Sequence, residues 1–236
     1  MSLSIRQSIL ATAFVVAGIA AAPSIALAAP SVVIKQADVQ QLVKKPHVKL
    51  IDVRTAEQFA KGHIAGAINI PWQKLNVSER DGIRNEYEDD AAIEKVLSEA
   101  GISYNDTLVL YAETALVGRA YVVLDYAGFE NLRVLDTGIS KWTGALSKEV
   151  TPVTPTTFKL SKKKENRVEI DYVRSKVGAK DAVIVDAREL APALDGHIPS
   201  AQLVPTTQFI DRKTLQVRDR QTLLKELEAK GITPDK

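Results

Sequence analysis

Two stretches of this chain carry the same residues in the same register, a constant 134 positions apart. The first reads Leu50-Ile51-Asp52-Val53-Arg54, then Gly62-His63-Ile64-Ala65-Gly66-Ala67, then Pro71. The second reads Ile184-Val185-Asp186-Ala187-Arg188, then Gly196-His197-Ile198-Pro199-Ser200-Ala201, then Pro205. Agreement at so many fixed positions is a repeat rather than chance, and a repeat obliges both copies to fold on one plan. The flanks agree as well. A helix-like stretch around Ile93 to Leu97 leads into Gly101-Ile102, and its counterpart, Leu223 to Leu227, leads into Gly231-Ile232 at an offset of 130. The connection inside the second copy is therefore four residues shorter.

Hydrophobic patterning supplies the plan. Val48 to Asp52, Thr107 to Tyr111 and Ala182 to Asp186 are short, nearly continuous apolar runs, the pattern of strands buried on both faces. Helical stretches follow the chain at 37–43 and 171–177. Arg119 to Gly128 reads as a further helix with Val122, Val123, Tyr126 and Ala127 apolar, stopped by Gly128. Leu132 to Asp136 then reads as a strand. Strands alternating with helices imply an α/β fold, a parallel sheet with helices on both faces. One complete copy occupies 31–148, and the first part of a second occupies 167–236. Between them, residues 149–166, with the run Thr151-Pro152-Val153-Thr154-Pro155-Thr156-Thr157, read as an extended linker. The charge-rich residues 73–90 read as a surface connection.

The first residues depart from this plan. Arg6 is the only charge before Lys35, and Ile9 to Ala22 is an apolar run ended by Pro23. Ala26-Leu27-Ala28 follows, the small-x-small pattern of a signal-peptidase site. A membrane anchor is the alternative, but Pro23 interrupts the run short of the about 20 residues that a spanning helix needs. Residues 1–28 are thus expected to be a signal peptide cleaved at Ala28. The mature chain would be exported, to the periplasm, and would not stay on the membrane. With 31 basic and 29 acidic residues there is no charge surplus to attract nucleic acid. The chain has no cysteine, which excludes disulfides and thiolate metal sites. His47, His63 and His197 have no ligand spacing, so neither a metal nor another cofactor is expected.

The Asp-x-Arg, Gly-His-Ile-x-x-Ala and proline anchors resemble the first signature of the rhodanese sulfurtransferases. Arg119-Ala120, Tyr126-Ala127-Gly128-Phe129 and the run from Val134 to Trp142 resemble the remainder of that domain. The residues have plain physical readings beside the resemblance. Asp52 and Asp186 end strands at the sheet's C-terminal edge, where Arg54 and Arg188 can pair with them or with loop carbonyls. Gly62-His63 and Gly196-His197 read as tight turns with hydrogen-bonded histidines, not catalytic bases.

In rhodaneses, the resemblance implies, a cysteine just after the central strand takes sulfur from a donor such as thiosulfate. It holds the sulfur as a persulfide and passes it to a thiophilic acceptor. Backbone N–H groups of the following loop stabilise thiolate and anionic donor. Here the strand ends at Tyr111 and the cysteine position is Ala112. The loop Ala112-Glu113-Thr114-Ala115-Leu116-Val117-Gly118-Arg119 is longer than the Cys-x-x-Gly-x-Arg pattern of many single-domain rhodaneses and lacks its internal glycine. Glu113 adds negative charge where an anion should bind, while Arg119 could bind an anion or pair within the domain. A methyl group cannot attack sulfur.

Tandem rhodaneses tolerate such a first copy and carry the working cysteine in the second. Lys236 aligns near Asp106, so the counterpart of the Thr107 strand and its loop is absent. The expectation is a truncated tandem protein rather than a natural half-domain paired with something else. Two functions follow. One is a periplasmic sulfurtransferase for a small sulfur-containing anion, inactive in this chain. The other is a non-catalytic module that binds a protein partner or an oxyanion. A phosphatase on a related fold also needs a cysteine and falls with it.

Overall fold

The computed structural model describes residues 31–113, 116–163, 167–214 and 216–233. Residues 1–28, expected to be a signal peptide cleaved at Ala28, and Thr114 and Ala115 of the loop, lie outside the described residues, as does the side chain of Leu116. The first repeat runs β1 (Val33–Ile34), α1 (Gln36–Leu42), β2 (Val48–Asp52), α2 (Ala56–Lys61), β3 (His63–Ile64) and β4 (Ile68–Asn69). It continues with β5 (Glu79–Arg80), β6 (Ile83–Arg84), α3 (Asp90–Glu99), β7 (Thr107–Tyr111), α4 (Leu116–Tyr126), β8 (Leu132–Leu135) and β9 (Leu146–Ser147). Five strands form one parallel sheet in the order β1-β8-β7-β2-β4.

Side chains alternate across a strand, so a central strand feeds two cores. Leu108 and Leu110 of β7 pack with Ile93 and Leu97 of α3 and with Ala120, Val123 and Leu124 of α4. Val109 and Tyr111 pack on the other face with Val39 of α1 and Phe59 of α2. Helices therefore cover both faces. β2 and β7 have the bounds that the apolar runs indicate, because each is paired on both sides. Helix α2 begins at a reciprocal cap: Gln58 N–H donates to Thr55 Oγ1 and Thr55 N–H donates to Gln58 Oε1. Residues 73–90 are more structured than a surface connection. Asp81-Gly82, both at positive φ (51° and 79°), turn the β5–β6 hairpin.

The second repeat contains α5 (Ile170–Lys176), β10 (Val185–Asp186), α6 (Leu190–Leu194), β11 (Gln202–Leu203) and α7 (Arg220–Glu228). β10 pairs in parallel with β11 as β2 does with β4. The run Ala182 to Asp186 suggests a longer strand than the two residues observed. The reason is pairing: among the described residues nothing forms a ladder with the other edge of β10, whereas β2 gains five residue pairs from β7. Val185 is 43% exposed, while its counterpart Ile51 is fully buried.

The described part of the expected linker 149–166, residues 149–163, is extended but does not hang free. Phe158 is buried against Phe129 and Tyr104, and Thr156 and Phe158 donate their N–H groups to the Ser98 carbonyl and hydroxyl. It is a strap across the first repeat. The sequence reading missed this because threonine and proline dominate its first half.

Candidate functional site

Both repeats build one small device at the C-terminal edge of their strands. In the first, Arg54 Nε lies 3.0 Å and Nη2 2.5 Å from the Asp52 carboxylate, and Nη2 also donates to the Gly62 carbonyl at 2.8 Å. In the second, Arg188 makes the same three bonds, to Asp186 at 2.9 and 2.6 Å and to the Gly196 carbonyl at 2.7 Å. Gly62 and Gly196 sit at φ 153° and 140°, a conformation that L side chains rarely adopt. This turns each carbonyl toward its guanidinium. The guanidinium is thereby spent on carboxylate and backbone and is not held out toward a ligand.

Environment separates the two copies. Asp52 is fully buried and the Arg54 side chain 10% exposed; the Arg188 side chain is 48% exposed. The hydrogen bonds from the Arg188 side chain, with its backbone N–H, hold the Asp186 carboxyl down at about 2. A carboxyl lowered in the folded state stabilises above its unfolded value of about 3.9 and loses that contribution as pH falls toward about 2. Arg188→Ala is expected to move the Asp186 titration, followed by carboxyl carbon NMR, up into the ordinary range. An unmoved midpoint would sink this assignment.

The turn histidines differ in the same sense. His63 is buried, stacked on Phe59 with centroids 3.6 Å apart, and its ring nitrogens meet the carbonyls of Phe59 and Glu149 at 3.0 Å each. His197 is exposed and meets the Ala193 carbonyl at 3.2 Å. Tyr111, at the end of β7, accepts the Ile64 N–H at 3.0 Å and so pins the first turn. Burial, with the Asp52 charge adding to it, pushes its phenol well above the ordinary value, and it stays a hydroxyl.

Ala112 follows directly and is buried. Its carbonyl accepts the Ile139 N–H at 3.1 Å. The Glu113 carboxylate turns to the same segment and accepts both the N–H and the hydroxyl of Ser140. Arg119 has no ion pair among the described residues; its guanidinium lies over the Trp72 ring, 5.1 Å from the centroid. The structure thus brings Ala112, Glu113 and Val117 to one side of a cavity of about 340 Å³, which the sequence reading missed. Asp136 and Gly138 share its wall, and Thr206, Ile210 and Val217 of the second repeat face them. The Asp136-Thr137-Gly138 run was visible in sequence, but its neighbours across the cavity were not.

Residues 35–145 match the sequence profile of the rhodanese-like domain. This part of the chain belongs to the rhodanese family. It is similar to the thiosulfate sulfurtransferase of Azotobacter vinelandii, 29% identical over 219 residues, covering 86% of this chain and 79% of that protein. The thiosulfate sulfurtransferase of Pseudomonas aeruginosa is 27% identical over the same shares. Among solved structures, a 3-mercaptopyruvate sulfotransferase of Escherichia coli superposes with a TM-score of 0.76, covering 88% of this chain and 86% of that one. At 21% identity, this last likeness shows the rhodanese fold alone.

Proposed function

We propose that this rhodanese-like chain has the tandem layout of an exported sulfurtransferase, acting with small sulfur-containing anions, and that its first repeat is a non-catalytic partner within that layout. One observation carries the reading: a buried methyl group, Ala112, stands at the end of the central strand where the family's chemistry needs a thiolate. The same loop opposes an anion, since Glu113 places a carboxylate beside it. The recurrence of the Asp-Arg-Gly device at Asp186, Arg188 and Gly196 supports the tandem layout. The run from Ile9 to Ala28 supports export.

The full chain, incubated with thiosulfate and cyanide, is expected to form no thiocyanate above the uncatalysed background. Ala112→Cys alone is expected not to restore transfer, because Glu113 and the longer loop remain. Turnover by the unaltered chain would overturn the reading; turnover by the variant would show that the loop still cradles an anion. Export is tested separately. Expressed with its first 28 residues in a Gram-negative host, the chain should appear in the periplasmic fraction with an N-terminus at Ala29. An uncleaved chain in the cytoplasm would refute that part.

The second reading is a binding module for a protein or an oxyanion. It is favoured by the same methyl group, and loss of binding to thiosulfate in a direct titration would count against its oxyanion form.

A further inference from the structure

The second repeat carries an open groove where the first is filled. A cavity of about 550 Å³ lies along the free edge of β10, lined by Ile184, Val185, Asp186, Arg188, His197 and Ile198. In the first repeat, 134 positions earlier, the equivalent strand edge is covered by β7. Ile51 packs with Leu108 and Leu110 on one face, and Ile64 packs with Val109 and Tyr111 on the other. Ile64 is 3% exposed; its counterpart Ile198 is 44% exposed, and Val185 differs from Ile51 in the same way.

Two backbone donors mark the same edge. Val53 N–H donates to the Tyr111 carbonyl at 3.1 Å, and Ile64 N–H donates to the Tyr111 hydroxyl at 3.0 Å. Their counterparts, the N–H groups of Ala187 and Ile198, make no hydrogen bond among the described residues. Open donors beside exposed apolar side chains are a template for pairing with a further strand.

The filled groove defines the strand that fits the open one. β7 pairs with β2 in parallel from Val48↔Thr107 to Asp52↔Tyr111. Its second and fourth residues are buried on one face and its third and fifth on the other, so all four are large and apolar in body. The fifth also carries the hydroxyl that holds the turn. Asp186 and Arg188 neutralise each other, so the groove offers no net charge to a charged guest. β7 itself is paired on both sides within the first repeat, and a second copy of this chain cannot lend it.

We infer that the free edge of β10 binds an extended apolar segment of another polypeptide. The segment runs parallel to β10 opposite residues 182–186 and ends in a tyrosine whose hydroxyl accepts the Ile198 N–H. Val185 and Ile198 then become as buried as Ile51 and Ile64.

The test uses the full chain and a synthetic peptide with the sequence of residues 105–112, followed by two lysines for solubility. A peptide of the same composition in scrambled order is the control. Backbone amide NMR and hydrogen exchange report where each binds. The peptide is expected to shift the amides of residues 183–188 and 197–198 and to slow their exchange about tenfold or more. Phenylalanine in place of its tyrosine should weaken binding about fivefold, the loss of one hydrogen bond. Val185→Asp and Ile198→Asp each place a charge in the groove at a position already open to water, and either should abolish binding. Unmoved amides at 183–188, equal binding of the scrambled peptide, or binding that survives both substitutions would overturn the proposal. So would an edge already protected from exchange without peptide, with a sedimentation mass above the monomer that Val185→Asp lowers, because a second copy would then cover it. These readouts involve no sulfur transfer, so their failure leaves the sulfurtransferase reading standing.

Discussion

Arg54→Ala is expected to destabilise the first repeat by about 3–5 kcal/mol, because it strands a buried carboxylate. Asp52 is fully buried at the edge of β2, and Arg54 supplies the charge opposite it and satisfies the Gly62 carbonyl in the same act. Removing the guanidinium leaves a charge and a carbonyl without their partner, in a sheet paired on both sides. Total stabilities are about 5–15 kcal/mol, so the variant should unfold at a far lower denaturant concentration. Arg54→Lys should recover only part of the loss, since an ammonium cannot make the two-pronged contact. Arg188→Ala makes the comparison decisive. It removes the same three bonds, but with Arg188 half-exposed, water replaces them, and the shift in melting temperature should be much smaller. Urea unfolding of the three variants reads this directly. Equal losses at Arg54 and Arg188 would show that burial does not set the value of the device.

That comparison also marks how far the sequence could be read. The repeat revealed Asp52 and Asp186 as equivalents, and their bonding is equivalent to within about 0.1 Å. What it could not reveal is the difference in burial, which depends on β7 lying against β2 and not against β10. The central strands were legible because continuous apolar runs mean burial on both faces. Ala112 was legible as a missing thiol, but the fate of Glu113 was not, since its partner Ser140 lies across the β8 connection. The cavity at Asp136 draws its walls from both repeats, and no local pattern announces such a meeting. A positional comparison shows one further asymmetry: Gly66 takes φ 82°, and its counterpart Ser200 adopts φ 64° with its hydroxyl accepting the Gly178 N–H. The repeat therefore keeps the turn while changing the residue that serves it.

Phe158→Ala is expected to cost about 3–5 kcal/mol, the usual loss for a phenylalanine removed from a packed core. A linker residue would cost almost nothing, so the size of the effect decides what residues 149–163 are. Thr156, Phe158 and Leu160 send alternate N–H groups to Ser98 O, Ser98 Oγ and Glu94 Oε1 of α3, the spacing of an extended chain laid along a helix. Between them Phe158 stacks on Phe129 at 5.4 Å and meets Tyr104 at 4.8 Å. Tyr104 in turn donates to the Ala127 carbonyl at 2.7 Å and accepts the Ser161 N–H at 2.7 Å, tying the strap to the end of α4. The ring thus holds the strap to both helices, α3 and α4, that cover one face of the sheet. Lys159 and Glu94 at 2.7 Å add an exposed pair that contributes little by comparison. In the alanine variant the strap amides should exchange with solvent much faster and the strap should be cut first by protease, while β2 and β7 keep their protection until global unfolding. A loss under about 1 kcal/mol, with unchanged exchange at residues 156–161, would return this segment to the status of a tether.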